Sequence, residues 1–416
     1  MSSSLQPGSG GGSKKKGGRS GEGRRVTLDH IVVLVPYHFL SGLPGLSASG
    51  NGGGADGTAA QAAAGQEAAP EWFRELFTFS PGGRHADGLT ENVLVLFKSG
   101  VYLEFIAFTP EAAGATAAAG GGGKGRQGHK WGGFAEGSVV DWAVTVFHDG
   151  GGGGESGTGA AKNDYDEVVR PITQRVLLGH RRHHQPDDEG QQPGGGGGGG
   201  GQVVVYGDLI PGGRTRPDGV KLEWATVPAV RLDPSSSSSS SPSPSEKEAT
   251  PVDRRGGAAA AEAEGEQVHP GQAPFWCVDE TPRELRVPYA HAGTEHANTG
   301  AVGVASVQVT PAPGVSAGDL GRLYDEVFAR GDGEDGAEEE EKKKNNNNKW
   351  ALSAPEGTHF HRDGVLELVD AAGHEAAVAA GDVVVALYTD KPELAGKRVG
   401  GKVDGDRAIW FDLVGV

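Results

Sequence analysis

Apolar positions along the chain come in short runs, separated by long tracts that hold almost none. The run VTLDHIVVLV (Val26 to Val35) is rich in β-branched residues and predicts a buried strand. EWFREL (Glu71 to Leu76) predicts a short helix. FTFSPGGRHADGLTENVLVLF then predicts strand, Gly-rich turn and strand, and GVYLEFIAF (Gly100 to Phe108) a further strand behind a Ser-Gly turn. The order is β, α, β, β, β.

A second block repeats that order. VVDWAVTVF (Val139 to Phe147) predicts a strand, and YDEVVRPITQRVLLG (Tyr165 to Gly179) a helix with Pro171 near its first turns or at a kink. QVVVYGDLI (Gln202 to Ile210) predicts a strand, the phrase PGGR returns, and VKLEWATV (Val220 to Val227) closes the block. SPGGRHADG at 80–88 and IPGGRTRPDG at 210–219 are one phrase written twice, as an internal duplication requires. A third block begins at PFWCVDETPRELRVP (Pro274 to Pro288) and continues with strand AVGVASVQVTP and helix DLGRLYDEVFARG. In that helix Leu320, Leu323, Tyr324, Val327 and Phe328 form the apolar stripe, Gly331 supplies the stop, and strands VLELVDA, VVVALYTD and AIWFDLV follow.

Composition changes this picture in one respect. The chain has 416 residues and 73 Gly, and tracts such as 194–201 (all Gly) and 235–241 (all Ser) have nothing apolar to bury, so they read as disordered insertions in surface loops. The expected division is a tail at 1–25, a first module at 26–110, a linker at 111–135 and a second module at 136–232 with insertions near 149–163 and 181–201. A linker at 233–271 and a C-terminal α+β unit at 272–416, interrupted near 331–348, complete it. The fold class expected is α+β: paired βαβββ modules forming a curved mixed sheet around a cleft, with a divergent third βα unit.

A net charge of −17 argues against a nucleic-acid partner, because phosphate contacts need a basic face. No run approaches the ~18 apolar residues of a spanning helix, so no membrane partner is expected. One cysteine, Cys277, excludes an intramolecular disulfide framework and reads as a small packed residue. No apolar leader is visible at the start, and the expected location is cytoplasmic, with Lys14 to Lys16, Arg24 and Arg25 offering a nuclear alternative.

Strand alternation puts His30 on a face with Leu28, Val32 and Leu34, and Glu104 on a face with Tyr102 and Ile106. A carboxylate among apolar neighbours needs a cation, a donor or water. Superposing the two blocks sets Leu28-Asp29-His30 against Val140-Asp141-Trp142, and Leu103-Glu104-Phe105 against Leu222-Glu223-Trp224. Arg84 and Arg214 of the repeated phrase read either as parts of tight strand connections or as bidentate holders of a substrate oxygen. His85 and Asn92 are further candidates for substrate binding.

The duplicated βαβββ module, with LDHIVVLV and PGGRHADG…TEN…YLE.IAF in that order, resembles the glyoxalase-like domain proteins of the vicinal oxygen chelate superfamily, which includes glyoxalase I and the extradiol dioxygenases. The resemblance is close over Val26 to Phe108 and looser through Val227. It implies a divalent metal, Zn, Ni, Fe or Mn, held by His30, Glu104 and Glu223, with Glu104 or Glu223 as general base. Trp142 departs from the family pattern: an indole cannot ligate, and it reads as a stacking floor for a planar substrate or as core. The expected function is a metal-dependent lyase or isomerase chelating neighbouring oxygens of a small substrate, in a monomer or homodimer. The alternatives are a metal-free sequestration module and an extradiol-type dioxygenase, the latter drawing a second imidazole from His291, His296, His359 or His361.

Overall fold

The computed structural model describes residues 24–40, 43, 69–114, 125–148, 159–183, 203–216, 218–232, 266–289, 292–328, 348–355, 360–369 and 381–416. The first half comprises β1 (Arg24–Leu34), α1 (Tyr37–Leu40), α2 (Glu71–Leu76), β2 (Ser80–Arg84), β3 (Thr90–Leu96), β4 (Tyr102–Phe108) and α3 (Pro110–Gly114). The second comprises β5 (Val139–His148), α4 (Ala160–Asp164), α5 (Arg170–His183), β6 (Val203–Tyr206), β7 (Ile210–Thr215), β8 (Lys221–Val227), β9 (Ala229–Leu232), β10 (Glu266–Gln267), β11 (Phe275–Asp279) and α6 (Arg283–Arg286). The last part is β12 (Ala301–Val309), α7 (Ala317–Val327), β13 (Lys349–Leu352), β14 (Gly364–Leu368), β15 (Val383–Thr389), β16 (Arg398–Asp404) and β17 (Arg407–Gly415).

Eight strands make one curved sheet in the order β2-β3-β4-β1-β5-β11-β8-β7. β1 and β5 meet antiparallel at its centre; β1 runs parallel to β4, and β5 parallel to β11. Each half is thus four strands in which first and last are parallel neighbours. The last strand of the second half is β11, and β8 takes the place that β3 takes in the first. This corrects the boundary at 232: FWCVD, across the tract that follows β9, completes the sheet, and VKLEWATV does not close the module.

The phrase PGGR lies in strands β2 and β7, at the two edges of the sheet, rather than in turns. Its first glycine is needed for close approach: a Cβ on Gly82 would fall 2.0 Å from Asn92 O, and one on Gly212 would fall 2.7 Å from Trp224 Nε1. Gly in both copies lets the edge strand lie against a bulky neighbour.

The expected helix at Tyr165 to Gly179 is longer in the structure, running from Ala160 to His183 through a π-type turn at Tyr165–Val169. Pro171 lacks an N–H and its ring crowds the carbonyl four residues back, and widening the turn just before it accommodates both.

The C-terminal unit repeats the pattern without the two edge strands. Its six strands, ordered β13-β14-β12-β15-β17-β16, have the same parallel and antiparallel relations as the inner six of the first sheet. Ser316 caps α7 by accepting from Asp319 N at 3.3 Å, and Leu320, Leu323, Tyr324 and Val327 are buried as the spacing required. One apolar cluster joins the two sheets: Ile31, Val33, Phe105 and Val144 belong to it together with Val307, Leu366, Val385 and Phe411. The opposite face of the first sheet, bearing Val32, Ile106 and Phe275, is left to wall a cavity.

Candidate functional site

The cavity encloses about 370 Å³, a volume in the range of small-molecule sites. It opens on the face of the first sheet that carries His30, Tyr102 and Glu104. His30 reaches that face through a bulge. Leu28 pairs with Val144 and His30 with Ala143, so Asp29 is an extra residue in β1. Leu28 consequently packs in the cluster between the sheets, on the face opposite His30 and not beside it as strict alternation would have it.

Asp29 and His30 are wired together. Oδ1 of Asp29 lies 2.6 Å from His30 Nδ1, Arg286 donates to both carboxylate oxygens at 3.0 and 2.8 Å, and Arg283 donates to Oδ2 at 2.6 Å. Burial pushes the Asp29 carboxyl up, but the two guanidinium charges override it and hold the group well below the usual carboxylate range. With Nδ1 engaged by a fixed anion, His30 directs Nε2 to Glu104 Oε2 at 3.4 Å. The imidazole stacks on Tyr102, centroids 4.6 Å apart.

Glu104, 6% exposed, is enclosed by polar partners on β3 and in the segment that follows β2. Asn92 Nδ2 donates to its Oε1 at 2.5 Å, and His85 Nε2 lies 3.5 Å from the same oxygen. Asn92 is held in turn by the Gly83 N–H, which donates to its Oδ1 at 3.0 Å. Burial raises the Glu104 carboxyl, but the His85 hydrogen bond, the charges of His30 and His85 and the Asn92 amide outweigh it and bring it down to about 2.

Of the residues expected at the site, His30, His85, Asn92, Glu104 and Arg214 line this cavity, and Glu223, Trp142 and Arg84 do not. Glu223 sits on β8, the counterpart of β3 rather than β4; it is half exposed and pairs with Lys221 at 2.5 Å. Its neighbours Trp224 and Thr226 are the β8 side chains on the cavity. Trp142 pairs with Ile31 and shares its face, so the indole is fully buried between the sheets, donating to Gly271 O at 3.0 Å and stacking on Phe328. Arg84 faces outward, its Nη2 bonded to Gly88 O at 2.9 Å and paired with Glu111 at 3.4 Å.

Composition and spacing missed other parts of the wall. On β11, Phe275 and Cys277 line the cavity as Tyr102 and Glu104 do on β4. Cys277 is buried, and burial pushes its thiol well up. Single donor atoms of Asp29, His30 and Cys277 lie within 4.8 Å of one another. The stretch expected as a linker contributes His129, Lys130 and Trp131, with Lys130 paired to Asp141 at 3.0 Å and Trp131 Nε1 donating to the same carboxylate at 3.1 Å. The apolar and aromatic break HKW in a Gly- and Ala-rich run was the available sign. Of the imidazoles proposed for an extradiol centre, His296 is buried with Nδ1 accepting from Thr78 N at 3.1 Å and Nε2 at 2.9 Å from Leu96 O. His361 is exposed, and His291 and His359 lie outside the described residues.

No helix among the described residues is long and apolar enough to cross a membrane. No curated protein matches the chain. A solved structure, a hypothetical protein from Staphylococcus aureus, is similar with a TM-score of 0.42 at 10% identity, covering 94% of this chain and 100% of that one. Residues 61–164 match the family model described as a glyoxalase-like domain, a stretch that holds His85, Asn92 and Glu104. The likeness to the glyoxalase-like domain, a family of the vicinal oxygen chelate superfamily, therefore rests on residues 61–164 of this chain.

Proposed function

We propose that the cleft is the catalytic site of a glyoxalase-type lyase or isomerase that handles two neighbouring oxygens of a small substrate with the help of a divalent ion. The observation that carries this reading is the approach of His30 Nε2 to Glu104 Oε2 at 3.4 Å while Asp29 occupies Nδ1. A carboxylate behind the other ring nitrogen is the arrangement that orients a metal-ligating imidazole. Cys277, a donor atom of which lies within 4.8 Å of donor atoms of His30 and Asp29, is offered as the third donor of this proposal in place of Glu223, although Glu104 does not belong to that grouping. An imidazole, a carboxylate and a thiolate suit Zn²⁺ or Fe²⁺ better than Mg²⁺ or Ca²⁺. Bound there, such an ion supplies Lewis-acid stabilisation of negative charge developing on substrate oxygen.

The chain's own groups divide the remaining work. A carboxyl with a pKa of about 2 is a good anionic ligand and a poor proton acceptor at neutral pH, so Glu104 serves to hold rather than to abstract. His85, on the cavity wall 3.5 Å from Glu104, is the better placed general base. Asn92 fixes the Glu104 carboxylate and leaves it one orientation.

Elemental analysis of the purified full-length chain tests this. About one equivalent of a transition metal is expected, falling below about a tenth of that in His30→Ala and Glu104→Gln and reduced in Cys277→Ser. Protein that takes up no metal on loading, or takes it up equally in His30→Ala, overturns the reading in favour of a metal-free binding module. That second reading has its own support: Glu104 Oε1 already has protein partners in Asn92 and His85, and among the described residues the second half adds no carboxylate or imidazole beside Cys277.

A further inference from the structure

Among the described residues, the buried charged groups on the cavity wall, and Lys130 beside them, have close partners of opposite charge, with one exception; the exposed Asp87 lines the cavity too, its Oδ1 accepting from Leu89 N. Arg286 is held by Asp29 and Asp279, Lys130 by Asp141, and Glu104 by His30, His85 and Asn92. Arg214 lines the same cavity and is 8% exposed, yet no carboxylate pairs with it among the described residues. Its hydrogen bond there is from Nη1 to Gly82 O, across the gap between the edge strands β7 and β2. That bond employs one guanidinium nitrogen and leaves donors over for the cavity. A buried cation with no carboxylate in contact is costly, and burial draws the Arg214 pKa down although the more distant charge of Glu104 acts to raise it. The other copy of the phrase shows that the strand geometry does not compel this: Arg84, equally placed on β2, turns outward to Gly88 O and Glu111.

The same cavity has an aromatic lining. Tyr102, Trp131, Trp224 and Phe275 all line the cavity. We propose that Arg214 is an anion anchor, and that the site takes a small organic acid whose carboxylate pairs with this guanidinium while its flat apolar body lies against these rings. A planar guanidinium matches a carboxylate through paired N–H donors, and pairing would supply the contacting carboxylate that Arg214 lacks among the described residues. This rests on the cleft being the small-molecule site proposed above; it does not require the metal.

The test titrates the full-length chain with benzoate and with its neutral isostere benzamide, following tryptophan fluorescence and binding heat, with and without prior removal of metal by EDTA. Benzoate is expected to bind the wild type, and Arg84→Gln, at least about tenfold more tightly than Arg214→Gln, with Arg214→Lys between them. Benzamide should bind weakly and equally to all four. Equal benzoate affinity in wild type and Arg214→Gln overturns the proposal, as does benzamide binding to the wild type as well as benzoate does. If Arg214→Gln does not fold, as judged by circular dichroism, the benzoate-to-benzamide ratio in the wild type decides. Preference for benzoate that survives EDTA and is lost in Arg214→Gln supports the anchor even if the metal reading fails. Preference that survives Arg214→Gln and disappears with EDTA assigns the anion to the ion and ends this proposal alone.

Discussion

At the scale of single residues the site depends on Asp29. It is fully buried, it fixes the Nδ1 side of His30, and it is the common acceptor of Arg283 and Arg286. Asp29→Asn keeps the shape but removes the charge that both guanidinium groups face. Metal affinity is expected to fall about ten- to a hundredfold, measured by competition with a chromogenic chelator. Stability should fall by about 3 kcal/mol, measured by urea unfolding, because two buried guanidinium groups lose one of their two carboxylate partners and share Asp279 alone. An Asp29→Asn protein with unchanged metal affinity would refute the orienting role. Glu104 makes a prediction in pH. Its folded pKa of about 2 lies below the ordinary 4.5, so its contribution to stability is complete above 4.5 and is lost as pH falls toward 2. Wild type should therefore lose melting temperature faster than Glu104→Gln between those values, and parallel curves would contradict the assignment.

At the scale of elements, the close contact of β2 on β3 controls the carboxylate. Gly82 packs on Asn92, Gly83 holds the Asn92 side chain, and Asn92 donates to Glu104. Gly82→Ala must push Asn92 away and is expected to cost about 2 kcal/mol or more in stability, and to weaken ligand binding beyond what an equally destabilising core change does. Binding isotherms alongside thermal melts check this. A Gly82→Ala protein that is destabilised but binds as wild type would disconnect the edge strand from the site. The bulge at Asp29 acts likewise, since the extra residue turns His30 into the cavity while Leu28 stays in the core.

At the scale of the whole molecule, the two large sheets and the small sheet of β6, β9 and β10 share one apolar interior. Phe411 of β17 lies 5.8 Å from Phe77 and 6.5 Å from Phe105, ring centre to ring centre, so the C-terminal sheet forms the floor under the strand that carries Glu104. Phe411→Ala is expected to cost about 3–5 kcal/mol and to lower the single unfolding transition of the chain, followed by calorimetry. Two separate transitions, only one of them shifted, would show that the sheets fold independently. Acid should act on the same unit. Burial holds the imidazoles of His129 and His296 down to about 4, from 6.5. Their contribution is therefore full above 6.5 and is lost as pH falls toward 4, the unfolded chain taking up protons first.

Strand runs, the helix stripe of α7, the duplicated order of elements and the burial of His30 and Glu104 were all legible in the sequence, because they follow from local periodicity and from the cost of burying polar groups. Three things were not. Strand pairing made β11, beyond a long tract, the last strand of the second half, and so removed Glu223 and brought in Cys277. Bulges in the pairing of β1 and β5 separated His30 from Leu28 and put Trp142 on the opposite face. Closure of the sheet turned Arg214 inward and left Arg84 outside. Alternation along a strand says which side chains share a face, but one inserted residue reverses it. Which strands become neighbours is settled by contacts between residues far apart in the chain, and no local pattern records those.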